Sequence, residues 1–276
     1  MGLIVTQIAM GESVYLSKNL TADQLRFMKL LDEHELLYFR MHEIEQQIGT
    51  TFDNLNEVLE NLVQKQLLKR LEKGKYCRFD FTDTHVLASF ISQGGVVAYW
   101  SALHLHGLTE RFPNKEFIKT TQRKRPTKLF GTPVQFVTVK PYKLKEGNIR
   151  QGYGDRAYSL TDIEMTLVDC FNQPRYAGDW PDLLKAFHQA SLDSPKLIRY
   201  AQNYHNIALI KRMGFLAELL QKEGLEEFIT FAQKQVNQKY TLFEPGGPNE
   251  GKLNHRWKLR MNMTESAILD LVNSPY

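Results

Sequence analysis

Apolar residues recur at helical spacing through the first eighty positions of the chain. Thr21 with Gln24 three residues later forms a capping box, and Leu20 and Leu25 fall at the staple positions around it. Leu25, Met28 and Leu31 then mark a core face, with Arg26 and Lys29 outward. Ile44 and Ile48 lie one turn apart and Gly49 follows as a stop. Beyond the Thr50-Thr51-Phe52 turn, Leu55, Leu59 and Leu62 give a further helix one apolar stripe. The pattern predicts helices over 21–34, 41–48 and 53–65. Leu67, Leu68 and Leu71 then run into Glu72-Lys73-Gly74-Lys75, followed by Tyr76, Phe79 and Phe81. That segment reads as two strands joined by a glycine turn. Tyr15 and Leu16 are expected to add packing ahead of the first helix.

The polar break Thr82-Asp83-Thr84 sets the expected boundary, giving domains 1–84 and 85–276. Past it, 85–92 predicts a linking helix, Gly94-Gly95 an interruption, and 96–106 an apolar helix closed by Gly107. Phe117-Ile118 and Val134, Phe136, Val137 and Val139 alternate as short strands. Thr161-Asp162-Ile163-Glu164 reads as a second capping box, opening a helix lined by Ile163, Leu167 and Phe171. Helical stretches follow around Leu183–Phe187, Pro195–Tyr204, Ile207–Leu220 and Leu225–Gln235. After the turn at 244–251, residues 253–263 read as one late strand, and 264–271 as a closing helix. The expected fold class is α+β: an N-terminal winged helix-turn-helix followed by a larger, mixed α/β, helix-rich C-terminal domain. In the winged arrangement the second helix of the pair enters a DNA major groove and the hairpin lies along the backbone.

Charge modifies that picture. Between Lys65 and Arg78 there are six basic residues and one acidic, so the hairpin suits phosphate. Thr50, Thr51, Asp53, Asn54 and Asn56 on the turn and helix, with Lys69, Arg70, Lys73, Lys75 and Arg78 on the hairpin, are the candidate DNA contacts. Asn reads adenine and a carboxylate accepts from cytosine, but Asp53, Glu57 and Glu60 also repel phosphate. A protein-contact or dimerisation role for the same module is the competing reading. Through Asp83 the net charge is −3, and the remainder carries +7. Lys119, Arg123, Lys124, Arg125 and Lys128 place five positive charges in ten residues with no acid, either a solvated loop or a contact to nucleic acid or a partner. A second basic stretch spans 140–145. On one late strand, Arg256, Lys258 and Arg260 would share a face.

Other chemistries are excluded by spacing. His104 and His106, two apart on a helix, point away from each other and cannot chelate one ion. Glu164 and Asp169 diverge around a helix, and no P-loop, GxSxG or HExxH occurs. The expectation is a chain without catalytic residues, metal or cofactor. Cys77 and Cys170 form no framework, 1–17 carries no basic n-region, and no run nears the ~20 apolar residues that cross a bilayer. A cytoplasmic setting without membrane contact is the default.

The run Gly94-Gly95-Val96-Val97-Ala98-Tyr99-Trp100-Ser101-Ala102-Leu103-His104-Leu105-His106-Gly107-Leu108-Thr109-Glu110 resembles the AbiEi-like antitoxin family. The resemblance continues through 120–125 ahead of Phe136-Val137, through 160–169 and 174–178, and through 211–216 and 254–262. With the hairpin module in front it covers nearly the whole chain. It implies the antitoxin of a bacterial type IV toxin–antitoxin, or abortive infection, system active against phage. The N-terminal domain would bind promoter inverted repeats in double-stranded DNA and autorepress its operon. The C-terminal domain would counteract a nucleotidyltransferase toxin without requiring a stable complex. Inverted repeats require two copies on DNA, as monomers or a homodimer. The rival readings are a winged-helix transcriptional regulator with no toxin partner and a nucleic-acid-processing enzyme.

Overall fold

The computed structural model describes residues 19–274; Tyr15, Leu16 and the reading of 1–17 lie outside them. The chain is mixed α and β and divides into two units, the first ending at Thr82 and the second beginning at Asp83.

In the first unit, α1 (Ala22–Glu33) opens on a reciprocal cap between Thr21 and Gln24. Its buried stripe is Gln24, Phe27 and Leu31, whereas Leu25 is 59% exposed, so the expected staple does not close. Phe27 and Leu31 sit four residues apart on one face, and Leu25 lies off that line. Next come β1 (Tyr38–Arg40), α2 (Met41–Gln47), α3 (Leu55–Gln64), β2 (Leu68–Glu72) and β3 (Lys75–Arg78). The three strands pair antiparallel in the order β1-β3-β2. Strand β1 was not expected; at three residues with only Phe39 fully buried, it is too short for a period to register. Its Phe39 closes an aromatic core, 5.6 Å from Phe27 and 5.7 Å from Tyr76, with Phe52 5.5 Å from Phe27. Against this core α3 buries Leu55, Val58, Leu59 and Leu62, each worth about 1.5–3 kcal/mol of transfer energy. Lys73 and Gly74 turn the hairpin, and Gly74 at φ +72° supplies the left-handed step that a two-residue loop requires.

The second unit begins with α4 (Thr84–Ile91), capped by Asp83. The 96–106 segment is not one helix: β4 (Val96–Val97) precedes α5 (Tyr99–Leu105), with Tyr99 turning the corner at φ +57°. The β-branched valines sit buried in the sheet between neighbouring strands, where extended pairing outweighs helical pattern. Strands β5 (Glu116–Thr120), β6 (Thr127–Leu129), β7 (Thr132–Thr138), β8 (Asn148–Gln151) and β9 (Tyr158–Thr161) complete a six-stranded sheet, ordered β6-β7-β5-β4-β9-β8. The β5–β7 and β4–β9 pairs are parallel and the others antiparallel. A short helix, α6 (Pro141–Lys145), links β7 to β8.

Helix α7 (Ile163–Asn172) is buried nearly all round, which is why its sequence lacks a polar face. Its cap is Asp162, whose carboxylate accepts from the Met165 N–H; Glu164 instead accepts from the Asp193 N–H and pairs with Lys196. Helices α8 (Trp180–Gln189), α9 (Ser194–Tyr204) and α10 (Ile207–Leu219) pack against it, and α11 (Glu226–Gln235) packs on α9 and α10. The expected late strand is a hairpin: β11 (Lys252–Asn254) turns back onto β12 (Leu259–Met261), which also pairs with β10 (Thr241–Leu242). Lys258 at φ +50° breaks the extended run, and α12 (Glu265–Asn273) closes the chain. Gly214 inside α10 admits the Trp257 ring so closely that a Cβ there would stand 2.5 Å from it.

Candidate nucleic-acid interface

Burial of its leucines leaves the other face of α3 to Asn56, Glu57, Glu60 and Gln64, all exposed. Thr51 and Asp53 are exposed at its entry and Thr50 is half-buried. Asn54 is the N-cap: its oxygen accepts from the Glu57 N–H at 3.3 Å and its amide donates to the Glu57 carboxylate at 2.8 Å. That side chain is committed to starting the helix, a role worth about 1 kcal/mol. It also draws Glu57 back toward the cap. Glu60 is likewise engaged, with Arg70 at 3.1 Å and the Tyr76 hydroxyl donating at 3.3 Å. Of the carboxylates that argued against phosphate, Glu60 is thus neutralised by Arg70, while Glu57 keeps its charge against the neutral Asn54 amide.

The hairpin is less basic in space than in sequence. Lys75 is 9% exposed and pairs with Glu72 at 2.7 Å across the turn. Arg78 pairs with Asp32 and donates to the Leu36 carbonyl, tying β3 to α1. Arg70 is spent on Glu60, an exposed pair worth about 0–1 kcal/mol that a phosphate readily displaces. Lys69 lies 4.5 Å from the centre of the Phe79 ring. Lys73, at the tip, is exposed. Of the five expected hairpin contacts, Lys75 and Arg78 therefore act as fasteners, while Lys69, Arg70 and Lys73 remain on the surface. Sequence counting missed this because it registers a charge without its partner.

The second unit separates its basic residues further. Lys119 is fully buried on β5, its ammonium 2.8 Å from Asp169 of α7, itself 0% exposed, and 3.3 Å from the Tyr204 hydroxyl. Tyr204 in turn donates to Asp169, and burial, then the Asp169 charge, push its phenol far up. Lys119 is no surface contact; it is the cation of an internal triad. Arg123, Arg125 and Lys128 are exposed on the β5–β6 connection and edge strand β6, with Lys124 half-buried 5.5 Å from the centre of the Phe136 ring. These four lie on one connection and the strand that follows it. Arg256, Lys258 and Arg260 form no stripe, because the turn between β11 and β12 splits them. Arg256 pairs with Glu218 at 2.6 Å, Lys258 lies 5.3 Å from the centre of the Tyr240 ring, and Arg260 sits in β12.

One feature escaped the sequence-based assignment. Beside the triad lies a cleft of about 290 Å³, lined by Lys140, Lys143, Tyr204 and His205 together with Asn172 and Gln173. The basic run over 140–145 was visible, but α6 and the end of α9 meet there only in the fold. Among the described residues no group of acids, histidines and cysteines has metal-site geometry, and no helix is long and apolar enough to cross a membrane.

No family model matches the chain. The origin recognition complex subunit 4 of Cricetulus griseus is 24% identical over 247 residues, 83% of this chain and 52% of that protein. The chain thus spans about half the length of this curated relative. The crystal structure of the RV2827C protein from Mycobacterium tuberculosis matches with a TM-score of 0.65 at 16% identity, covering 94% of this chain and 97% of that one. At that identity the likeness is one of fold.

Proposed function

We propose that this chain is a DNA-binding antitoxin of the AbiEi-like kind: its first unit a winged helix that grips promoter DNA and represses its own operon, its second the part that counteracts a nucleotidyltransferase toxin. The observation that carries the DNA half is the placement of α3 against the β2–β3 hairpin, with Asn56 and Gln64 on the helix's free face and Lys73 at the hairpin tip. An amphipathic helix ending beside a two-stranded wing is the geometry that reads a major groove while the wing follows phosphates. Direct readout falls to Asn56, and phosphate contact to Lys69, Arg70 and Lys73. The name of the origin recognition relative supports DNA as the partner. The antitoxin half rests on the sequence blocks, whose distinctive run becomes the β4–α5 corner and whose 160–169 stretch becomes the end of β9, the Asp162 cap and the start of buried α7.

Two experiments separate the halves. A promoter–reporter fusion carrying the chain's own upstream DNA is expected to be repressed by the wild type and released by Asn56→Ala with Lys73→Ala. Co-expression with a nucleotidyltransferase from a neighbouring reading frame is expected to restore growth that the nucleotidyltransferase alone arrests. Repression without rescue from any neighbouring reading frame leaves a transcriptional regulator with no toxin. Loss of both sinks the proposal.

A further inference from the structure

We propose that the cleft between α6 and the C-terminal ends of α7 and α9 binds the phosphate group of a free nucleotide. The argument begins with charge. The cleft receives Lys140 and Lys143 and has no carboxylate in its lining. Asp169, whose charge acts on Lys143, is already matched by Lys119 at 2.8 Å. Two cations therefore face an opening whose floor is electrically balanced, which is an attraction for an anion that nothing within the lining satisfies. Lys143 is held in place: its ammonium stands 3.9 Å from the centre of the Tyr204 ring, and Tyr204 is fixed from behind by Asp169. Burial makes this ammonium costly to keep charged and lowers its affinity for the proton, with Asp169 opposing that shift and Lys119 and Lys140 adding to it. An anion relieves that cost.

The neutral groups fit the same ligand. The Asn172 oxygen accepts from the Asn206 amide at 3.0 Å, so the N–H groups of its amide are the donors it brings to the lining, which Gln173 shares. Ammonium groups and amide donors together are the donor set of a phosphate site. The volume, about 290 Å³, lies at the small end of ligand sites and suits a mononucleotide better than a polymer. Tyr142, partly exposed at the rim with its hydroxyl donating to the Asn203 carbonyl, offers a ring on which a base can stack. The exposed arginines near β6 bear on none of this. The cleft is a separate site from the DNA face of the first unit, and it gives the second unit a means of sensing or holding the substrate class that a nucleotidyltransferase consumes.

Isothermal titration of the full chain at low salt tests the proposal, using inorganic phosphate, adenosine, AMP and ATP as separate probes. AMP or ATP is expected to bind saturably and adenosine not at all. Lys143→Gln is expected to weaken binding about tenfold, the loss of one charge-assisted contact. Lys128→Gln, on edge strand β6, is expected to leave it unchanged. Saturable binding of inorganic phosphate alone, equally sensitive to Lys143→Gln, would keep the phosphate site and make free phosphate its ligand. Absence of binding for every phosphate-bearing probe overturns the proposal. So does binding that Lys143→Gln and Lys140→Gln, both melting like the wild type, leave unaltered.

Discussion

Replacing Lys119 by Met removes one partner of an ion pair in which both side chains are fully buried. The methionine fills most of the lysine's volume, so the penalty comes from Asp169, left charged in a dry interior with the Tyr204 hydroxyl donating to it. Breaking a buried pair in this way costs about 3–5 kcal/mol. For a unit of the size of Asp83–Tyr276, each kcal/mol moves the midpoint by about 2–4 °C, so the second unit's transition should fall by on the order of 10 °C. Replacing Asp169 by Leu as well is expected to recover most of the loss, because the unpaired charge is gone. What remains is the Tyr204 hydroxyl without its acceptor, about 1–3 kcal/mol, which adding Tyr204→Phe should remove. Calorimetry on the full chain reads this out as a shift in the transition that the Lys119 substitution moves. Lys128→Met, at an exposed position in the same basic run, is the control and should stay within about 0.5 kcal/mol of wild type. If Lys119→Met melts like Lys128→Met, Lys119 is a surface charge after all and the triad does not hold the second unit together.

Two further outcomes are expected. Gly214→Ala should destabilise the second unit by about 1–3 kcal/mol through collision with Trp257 and Ala232, even though alanine favours the helix by about 1 kcal/mol; a rise in the melting midpoint would show that the ring gives way freely. Burial pushes the Cys77 thiol up to about 12 and the Cys170 thiol well above its ordinary value, so both stay protonated at pH 8. Native protein should not react with an aromatic disulfide reagent, and guanidinium-unfolded protein should react at both; rapid native labelling contradicts the burial.

The sequence was most legible where a local rule had no competitor. The Thr21–Gln24 cap, the leucine stripe of α3 and the Lys73-Gly74 turn need only neighbouring residues, and each is in place. It misled where tertiary pairing decides. Val96 and Val97 carry no strand signal of their own beyond two β-branched side chains, and become a strand because β5 and β9 flank them. Residues 253–263 alternate like one strand, yet Asn254 accepts from the Trp257 N–H and folds the run into a hairpin. The candidate contacts suffered from the same blindness to partners. Lys119, Lys75 and Arg78 look basic in a linear count and are balanced by Asp169, Glu72 and Asp32. Conversely, Lys140 and Lys143 gained meaning only when α9 brought Tyr204 and His205 beside them.

The most direct measurement of the central claim is fluorescence anisotropy of the full chain on its own upstream promoter DNA, across a salt series, against a scrambled duplex. The account predicts tighter binding to the promoter than to the scrambled duplex. It further predicts that Lys73→Ala weakens both alike and lowers the salt slope by about one, the signature of one lost phosphate contact. Asn56→Ala should instead narrow the gap between the two duplexes by about 1–3 kcal/mol, as expected of a base-reading side chain. Equal affinity for both duplexes, or a promoter preference that survives Asn56→Ala and Lys73→Ala together, would contradict the claim that α3 and its hairpin read DNA.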